Sequence, residues 1–209
     1  GRALRECELA PPPDPNSLAV YTDTNPAYGS SNLTPGPVDS AALRNARGVG
    51  SALDAAIAAA GGNPAVPNSS DLINNYITGI LAAESGGRPN APCESIANPW
   101  AGGCGIGQIS PNTAKGLDPS LQGLGLYEIQ QKLINDTNYN LALNAQLATM
   151  AQTKAYNALT NAGLPTDEAS VVGAMAAYYN GGAGAIAPSR DCGSGTLAYQ
   201  CDINAGGYA

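Results

Sequence analysis

The sequence predicts an all-α fold. Three observations carry this: apolar residues recur at steps of three and four, helix-start and helix-stop residues fall where those runs begin and end, and strand signals are weak throughout. The chain has 209 residues, a length that suits one domain with a real core plus a tail.

Residues 1–37 are rich in Pro, Asn, Ser and Thr, and Pro11-Pro12-Pro13 and Pro35-Gly36-Pro37 oppose regular structure. This segment is expected to be an extended tail. Residues 38–209 are expected to form a single helical domain. Asp39 or Ser40 opens a first helix to about Ala60, with Leu43, Ala46, Val49, Leu53 and Ile57 on one face and Gly61-Gly62 as its stop. Ser69 or Ser70 is expected to cap a second helix, which carries Glu84 near its end. Residues 85–109 read as loop, with many Gly and Pro and the sole tryptophan, Trp100. Ser110-Pro111 reads as an N-cap followed by Pro at the first helical position, opening a short helix to about Lys115. Further helices are expected over 126–135 and 137–161, the latter with Leu141, Ala145, Ala148 and Gln152 on one face and Gly163 at its end. Thr166 is expected to cap a helix from Asp167 to about Tyr179, whose apolar face is Val172, Met175, Ala176 and Tyr179. From Pro188 onward the chain is expected to be irregular.

Composition excludes several function classes. The chain contains no His, so there is no Ser-His or Cys-His nucleophile pair and no His-ligated zinc. Acid–base chemistry falls to carboxylates, Lys or Tyr, and no metal or other cofactor is expected. Sixteen acidic residues oppose nine scattered basic ones, a net charge of -7. Phosphate binding needs clustered Lys and Arg, so nucleic acid is not an expected partner, nor is charge-driven capture by an anionic surface. No run of about 18 apolar residues is present, so no membrane span is expected, and no signal peptide is read. Beginning at Gly1 without Met, the chain is expected to be processed. Of five cysteines, Cys93 with Cys104 and Cys192 with Cys201 are close pairs in Gly/Pro-rich sequence. They read as two disulfides in an oxidising compartment, with Cys7 left over; free thiols are the alternative.

Glu84 is the strongest candidate for chemistry. Leu72, Tyr76 and Ile80 precede it at steps of four, and Ile73, Ile77 and Leu81 fill the adjacent row. Glu84 thus continues an apolar stripe. A carboxyl group shielded from water ionises less readily, which suits a general acid working near neutral pH. The alternative is an ordinary acidic residue where the stripe runs out into water.

Four segments belong together in order: Glu84-Ser85-Gly86-Gly87; Gly105-Ile106-Gly107-Gln108-Ile109-Ser110-Pro111-Asn112-Thr113-Ala114; Asp136-Thr137-Asn138-Tyr139-Asn140-Leu141; and Ala177-Tyr178-Tyr179-Asn180-Gly181-Gly182-Ala183-Gly184. They resemble the lytic transglycosylase family, with its goose-type lysozyme relatives, over about residues 70–187. Gly107 stands where that family has a larger apolar residue, Gly181 stands for its common Ala, and an insert with Cys93 and Cys104 parts the first two motifs.

The resemblance implies a lysozyme-like α-helical domain. It implies cleavage of the β-1,4 bond between N-acetylmuramic acid and N-acetylglucosamine in bacterial peptidoglycan glycan strands, leaving 1,6-anhydro ends. Glu84 would then be the acid and base, with Tyr179 aimed at it or at the reacting centre. Ile106 and Gln108 would lie along the substrate, Gln108 with an amide that donates and accepts. Ser85 is read as bonding Glu84 or capping the loop, and Asn180 as fixing the turn into Gly181-Gly182 or touching sugar. Trp100 is read as a sugar-stacking ring or a loop anchor. For Tyr179 the alternative is a core ring, and for Gln108 a loop-fixing hydrogen bond. Asp118, Glu94, Glu128 and Asp136 are candidates for a second carboxylate on a hydrolytic route, none singled out by spacing. A hydrolytic muramidase, a cross-link endopeptidase and a non-catalytic glycan-binding or structural module are the alternative functions. The expected setting is periplasmic or extracellular, as a phage-borne, virion-associated lysin or a periplasmic protein. The tail would contact other virion proteins.

Overall fold

A computed structural model describes residues 49–193 and 195–204, the last three by backbone alone. The tail over 1–37, residues 38–48 with Leu43 and Ala46 of the expected first helix, and Cys7 lie outside the described residues; the described part of that helix opens at Gly50 with Val49 as its N-cap, so the expected unbroken run through Val49 is not found.

The described residues are predominantly helical, in the order α1 (Gly50–Ala60), α2 (Ser69–Ser85), α3 (Pro111–Leu117), a 3-10 turn (Pro119–Leu121), α4 (Leu126–Asn135), α5 (Thr137–Asn161), α6 (Glu168–Ala185) and α7 (Ala198–Asn204). Among them, strand pairing is confined to two isolated bridges, Cys104 with Ile109 and Pro188 with Leu197.

Local chemistry sets the boundaries. Gly61 ends α1 at φ 81° and sends its N–H to Ile57 O. Ser110 Oγ accepts the Thr113 N–H at 3.1 Å, and Pro111 fills the first helical position of α3. Asp136 Oδ1 accepts the Tyr139 N–H at 3.0 Å to open α5.

Two expected caps are displaced by one position. Asn68, not Ser69 or Ser70, precedes α2, because the Ser69 hydroxyl donates instead to Gln152 Oε1 at 2.7 Å. Asp167, not Thr166, caps α6 through a carboxylate that takes the Ser170 N–H at 2.8 Å. The short helix after Ser110 runs on to Leu117. The segment after Pro188 is not wholly irregular. Leu197 is fully buried, Ala198 N donates to Ala187 O at 2.9 Å, and α7 follows. Both disulfides are formed, Cys93 with Cys104 and Cys192 with Cys201.

Helix α5 is the axis of the molecule and packs on α1, α2, α4 and α6. Its Leu141, Ala145, Ala148 and Gln152 are all buried, as the period of the sequence predicts. Buried Gln152 accepts the Asn63 N–H at 2.9 Å and donates to Ser69 O at 3.1 Å, so it ties the α1–α2 connection to α5.

Two hydrophobic clusters flank this axis. The larger joins α1, α2, α5 and α6 around Leu53, Ile73, Ile77, Leu141 and Met175. The smaller gathers Cys104, Ile109, Leu121, Ile129, Leu133 and Leu143. The loop at 104–109 straddles them: Ile106 enters the first, Cys104 and Ile109 the second. Among the described residues, no helix is long and apolar enough to cross a membrane.

Candidate functional site

The end of α2 positions Glu84. Gly86 takes the left-handed conformation, φ 61°, and its N–H bonds Ala82 O while Gly87 N bonds Leu81 O. This closure satisfies the last carbonyls of the helix and turns the chain sharply away.

Glu84 is half-buried and not sealed in the core, a correction to the apolar-stripe expectation. Along the row Leu72, Tyr76, Ile80, Glu84, the first two residues are buried and the last two half-buried. The row that faces the core throughout is the neighbouring one, Ile73, Ile77, Leu81 and Ser85. One position is a 100° turn of the helix, so Ser85 goes inward and Glu84 comes out at the rim.

Tyr179 meets Glu84 there. Its hydroxyl donates to Glu84 Oε1 at 2.5 Å, across 95 residues of chain. Tyr179 is 49% exposed, so it closes the apolar face of α6 at the surface instead of extending it inward. Its ring and that of Tyr76 meet edge to face, centroids 6.3 Å apart at 89°, a favoured aromatic arrangement. The Tyr76 hydroxyl donates to Met175 O at 3.4 Å. Partial removal from water, then the charge of Glu84 and the hydrogen bond to it, push the Tyr179 pKa well above the usual phenol range. Tyr179 therefore remains a proton-bearing donor over the whole biological pH range.

Ser85 serves the loop and is not bonded to Glu84. It is buried, and its hydroxyl donates to Ile106 O at 2.6 Å while accepting the Gly87 N–H at 3.1 Å. It rivets the helix end to the loop of the second motif. Ile106 offers no side chain to a ligand, being fully buried in the larger cluster.

That loop is closed by reciprocal backbone bonds between Cys104 and Ile109. Gln108 sits at φ 48°, uncommon for a residue with a side chain. Its amide nitrogen donates to Gly105 O at 2.8 Å and Pro92 O at 3.2 Å. This is the loop-fixing arrangement, with the amide nitrogen spent on the protein itself.

Sequence reasoning passed over the residues that hold the loop from α5. Asn140 is fully buried; its Oδ1 accepts the Gly107 N–H at 3.1 Å and its Nδ2 donates to Cys104 O and Leu133 O, both at 2.9 Å. Asn144 Nδ2 donates to Asn140 O and Oδ1 at 3.0 Å. A Cβ on Gly107 would lie 1.7 Å from Asn144 Nδ2. The glycine is thus the complement of a polar side chain that fills the space from the other side. Asn140 belongs to the 136–141 motif, whereas Asn144 and Tyr76 carry no signal beyond helical spacing.

The four candidate second carboxylates separate clearly. Asp118 accepts the Ser120 N–H at 2.9 Å and the Tyr139 hydroxyl at 2.7 Å, Glu128 accepts the Gly125 N–H at 2.8 Å, and Asp136 caps α5. These three are engaged in ending or starting helices. Glu94 Oε2 also accepts a backbone N–H, from Gly103 at 3.0 Å, but its charge adds to those that raise the Tyr179 pKa.

Asn180 follows Tyr179 within α6 and is exposed. Two residues on, the helix is broken at Gly182, φ 63° and ψ -157°, the turn expected at Gly181-Gly182, before a last helical stretch to Ala185. Trp100 packs on the smaller cluster, half-buried, with its N–H bonded to Asn98 Oδ1 and its carbonyl to Asn112 N.

No protein-family model, curated protein or solved structure matches the chain.

Proposed function

We propose that this chain is a peptidoglycan-cleaving glycosidase of lysozyme-like fold, acting on the β-1,4 bond between N-acetylmuramic acid and N-acetylglucosamine. The observation that carries the reading is the 2.5 Å hydrogen bond from the Tyr179 hydroxyl to Glu84. It joins the first and last of four ordered motifs, and the Ser85–Ile106 and Asn140–Gly107 bonds join the other two to them.

In this reading Glu84 gives its proton to the glycosidic oxygen as the bond from that oxygen to C1 of the muramic ring breaks. The Tyr179 bond occupies Oε1 and leaves the second oxygen for the sugar. The carboxylate then takes the proton of the muramic 6-hydroxyl as that oxygen bonds C1, giving a 1,6-anhydro end with no water consumed. Ordinary glycosidases place two carboxylates about the scissile bond; the internal hydroxyl removes the need for the second.

If water attacks C1 in place of the 6-hydroxyl, the same Glu84 acid serves a hydrolytic muramidase. The disulfides are compatible with work outside the cytoplasm, in an oxidising setting, and the proposed site of action is the wall, as a periplasmic enzyme or a virion-associated lysin.

Purified murein treated with the native protein and with Glu84→Gln, and analysed by mass spectrometry, tests this. Anhydro ends support transglycosylation, and reducing ends support the hydrolytic route. The Glu84→Gln variant is expected to lose about 10²–10⁴ of the rate. Cut peptides, intact murein, or a variant as active as the parent would remove the proposal.

A further inference from the structure

A second set of residues carries features that the Glu84 site does not use. Trp100, Lys115, Asn98 and Asn112 line an open hollow of about 450 Å³. The Lys115 ammonium stands 5.2 Å from the centroid of the Trp100 ring, within cation–π range. Its one hydrogen bond described is long, 3.4 Å to Gln122 O. The hollow is built rather than incidental: the Trp100 backbone is bonded to the Asn98 side chain and to Asn112 N, and its ring rests on the smaller cluster, where Cys93 of the Cys93–Cys104 disulfide also packs.

Its chemistry is specific. An indole face is a platform for the C–H face of a pyranose. Carboxamides donate and accept, as an acetamido or hydroxyl group needs. The ammonium adds a demand that a neutral sugar does not meet. In a chain with 16 acidic and nine basic residues, a cation set against the sole tryptophan is the one local feature that favours an anion.

We infer that this hollow is a subsite for a carboxylate-bearing N-acetylated sugar, with the ring on Trp100, the carboxylate on Lys115 and the polar substituents on Asn98 and Asn112. The inference rests on the glycan reading above and deepens it. In murein the lactyl carboxyl is amide-bonded to the stem peptide, so the subsite would select a muramic residue freed of its peptide, through its lactyl carboxylate, over N-acetylglucosamine. An anionic sugar draws the ammonium from the ring to its own carboxylate, so binding changes the environment of the indole.

Trp100 is the only tryptophan in the chain, so its fluorescence reports this hollow directly. The full chain is titrated with the N-acetylglucosaminyl-N-acetylmuramic acid disaccharide and, separately, with chitobiose. The muramyl sugar is expected to move the emission saturably and to bind about fivefold more tightly than chitobiose, the scale of an exposed ion pair. Added salt narrows that gap. Lys115→Gln erases the preference and Lys115→Arg keeps it, while Glu84→Gln leaves it unchanged. Equal responses to both sugars, a silent indole, a preference that survives Lys115→Gln, or an equal response to a sugar-free acidic peptide overturns the subsite. Murein cleavage without the preference sinks the subsite alone, whereas the preference without cleavage sinks the catalytic reading and leaves a muramyl-binding hollow.

Discussion

Single side chains at the Glu84 site divide into those that meet solvent and those that hold the others still. Tyr179 is half exposed and bonded to Glu84; Ser85, one residue on, is buried and bonded to Ile106. Removing the phenolic hydroxyl deletes a hydrogen bond to a carboxyl group, worth about 1.5–3 kcal/mol when the partner is charged. Tyr179→Phe is expected to slow murein cleavage by about 10- to 100-fold, with its melting temperature little changed because the ring still meets Tyr76. Steady-state rates beside a thermal melt would check this, and undiminished turnover would remove Tyr179 from the mechanism. Asp118 supplies a pH signature of a different kind. Hydrogen bonds from Ser120 first, then Tyr139, hold its carboxyl below the usual carboxylate range. A depressed folded-state value stabilises the protein above the ordinary Asp pKa of about 3.9, and the contribution is lost as pH falls through the folded value. Asp118→Asn should therefore be less stable than the parent at neutral pH, and the gap should close on acidification below about pH 4. Urea midpoints across that range give the answer, and a gap that widens in acid would contradict the assignment.

Elements carry the geometry that side chains complete. The 104–109 loop has little structure of its own beyond one bridge, yet it is pinned from α2 by Ser85, from α5 by Asn140, and from both hydrophobic clusters. Its glycines answer to these neighbours. At Gly105, φ is 75° and a Cβ would meet Leu133 O at 2.1 Å, so conformation and space both forbid a side chain. At Gly107 the nearest obstacle is the Asn144 amide. Gly107→Ala is expected to cost about 1–3 kcal/mol through overpacking. Combined with Asn144→Ala, it should cost less than the two single changes added together. A double-mutant cycle by denaturant unfolding measures that coupling, and strict additivity would show that the two positions do not compete for one space.

At the scale of the whole chain, α5 joins two hydrophobic clusters, and the site lies where α2, α6 and the loop between the clusters converge. The Cys93–Cys104 disulfide closes the segment that holds Glu94 and Trp100 and delivers the chain into the loop at Gly105. A short closed loop of this kind contributes about 2–3 kcal/mol in the chain-entropy view. Replacing both cysteines by Ser is expected to lower global stability by that order. Cleavage should fall by more than the unfolded fraction explains, since the loop loses one of its ties while α1, α2, α5 and α6 stay packed. Activity normalised to folded protein by circular dichroism separates the two effects; an unchanged specific activity would show the loop to be independent of the bridge.

Helix positions were legible because they follow from local physics. The 126–135 and 137–161 helices, the Ser110-Pro111 start and the glycine stops depend on residues a few positions apart, whose spacing and capping chemistry act within one turn. The two caps that moved, at Asn68 and Asp167, did so where competing donors and acceptors stood within a residue of each other; at Ser69 the rival partner was Gln152, 83 residues away. The site divides in the same way. Glu84 and Tyr179 stood out in linear order, but which row of α2 faces the core, that Ser85 and not Glu84 goes inward, and that Asn144 fills the room beside Gly107 are outcomes of helices packing on helices. Burial and steric exclusion are set by neighbours distant in sequence, and no spacing along one strand of chain encodes them without the fold that brings those neighbours together.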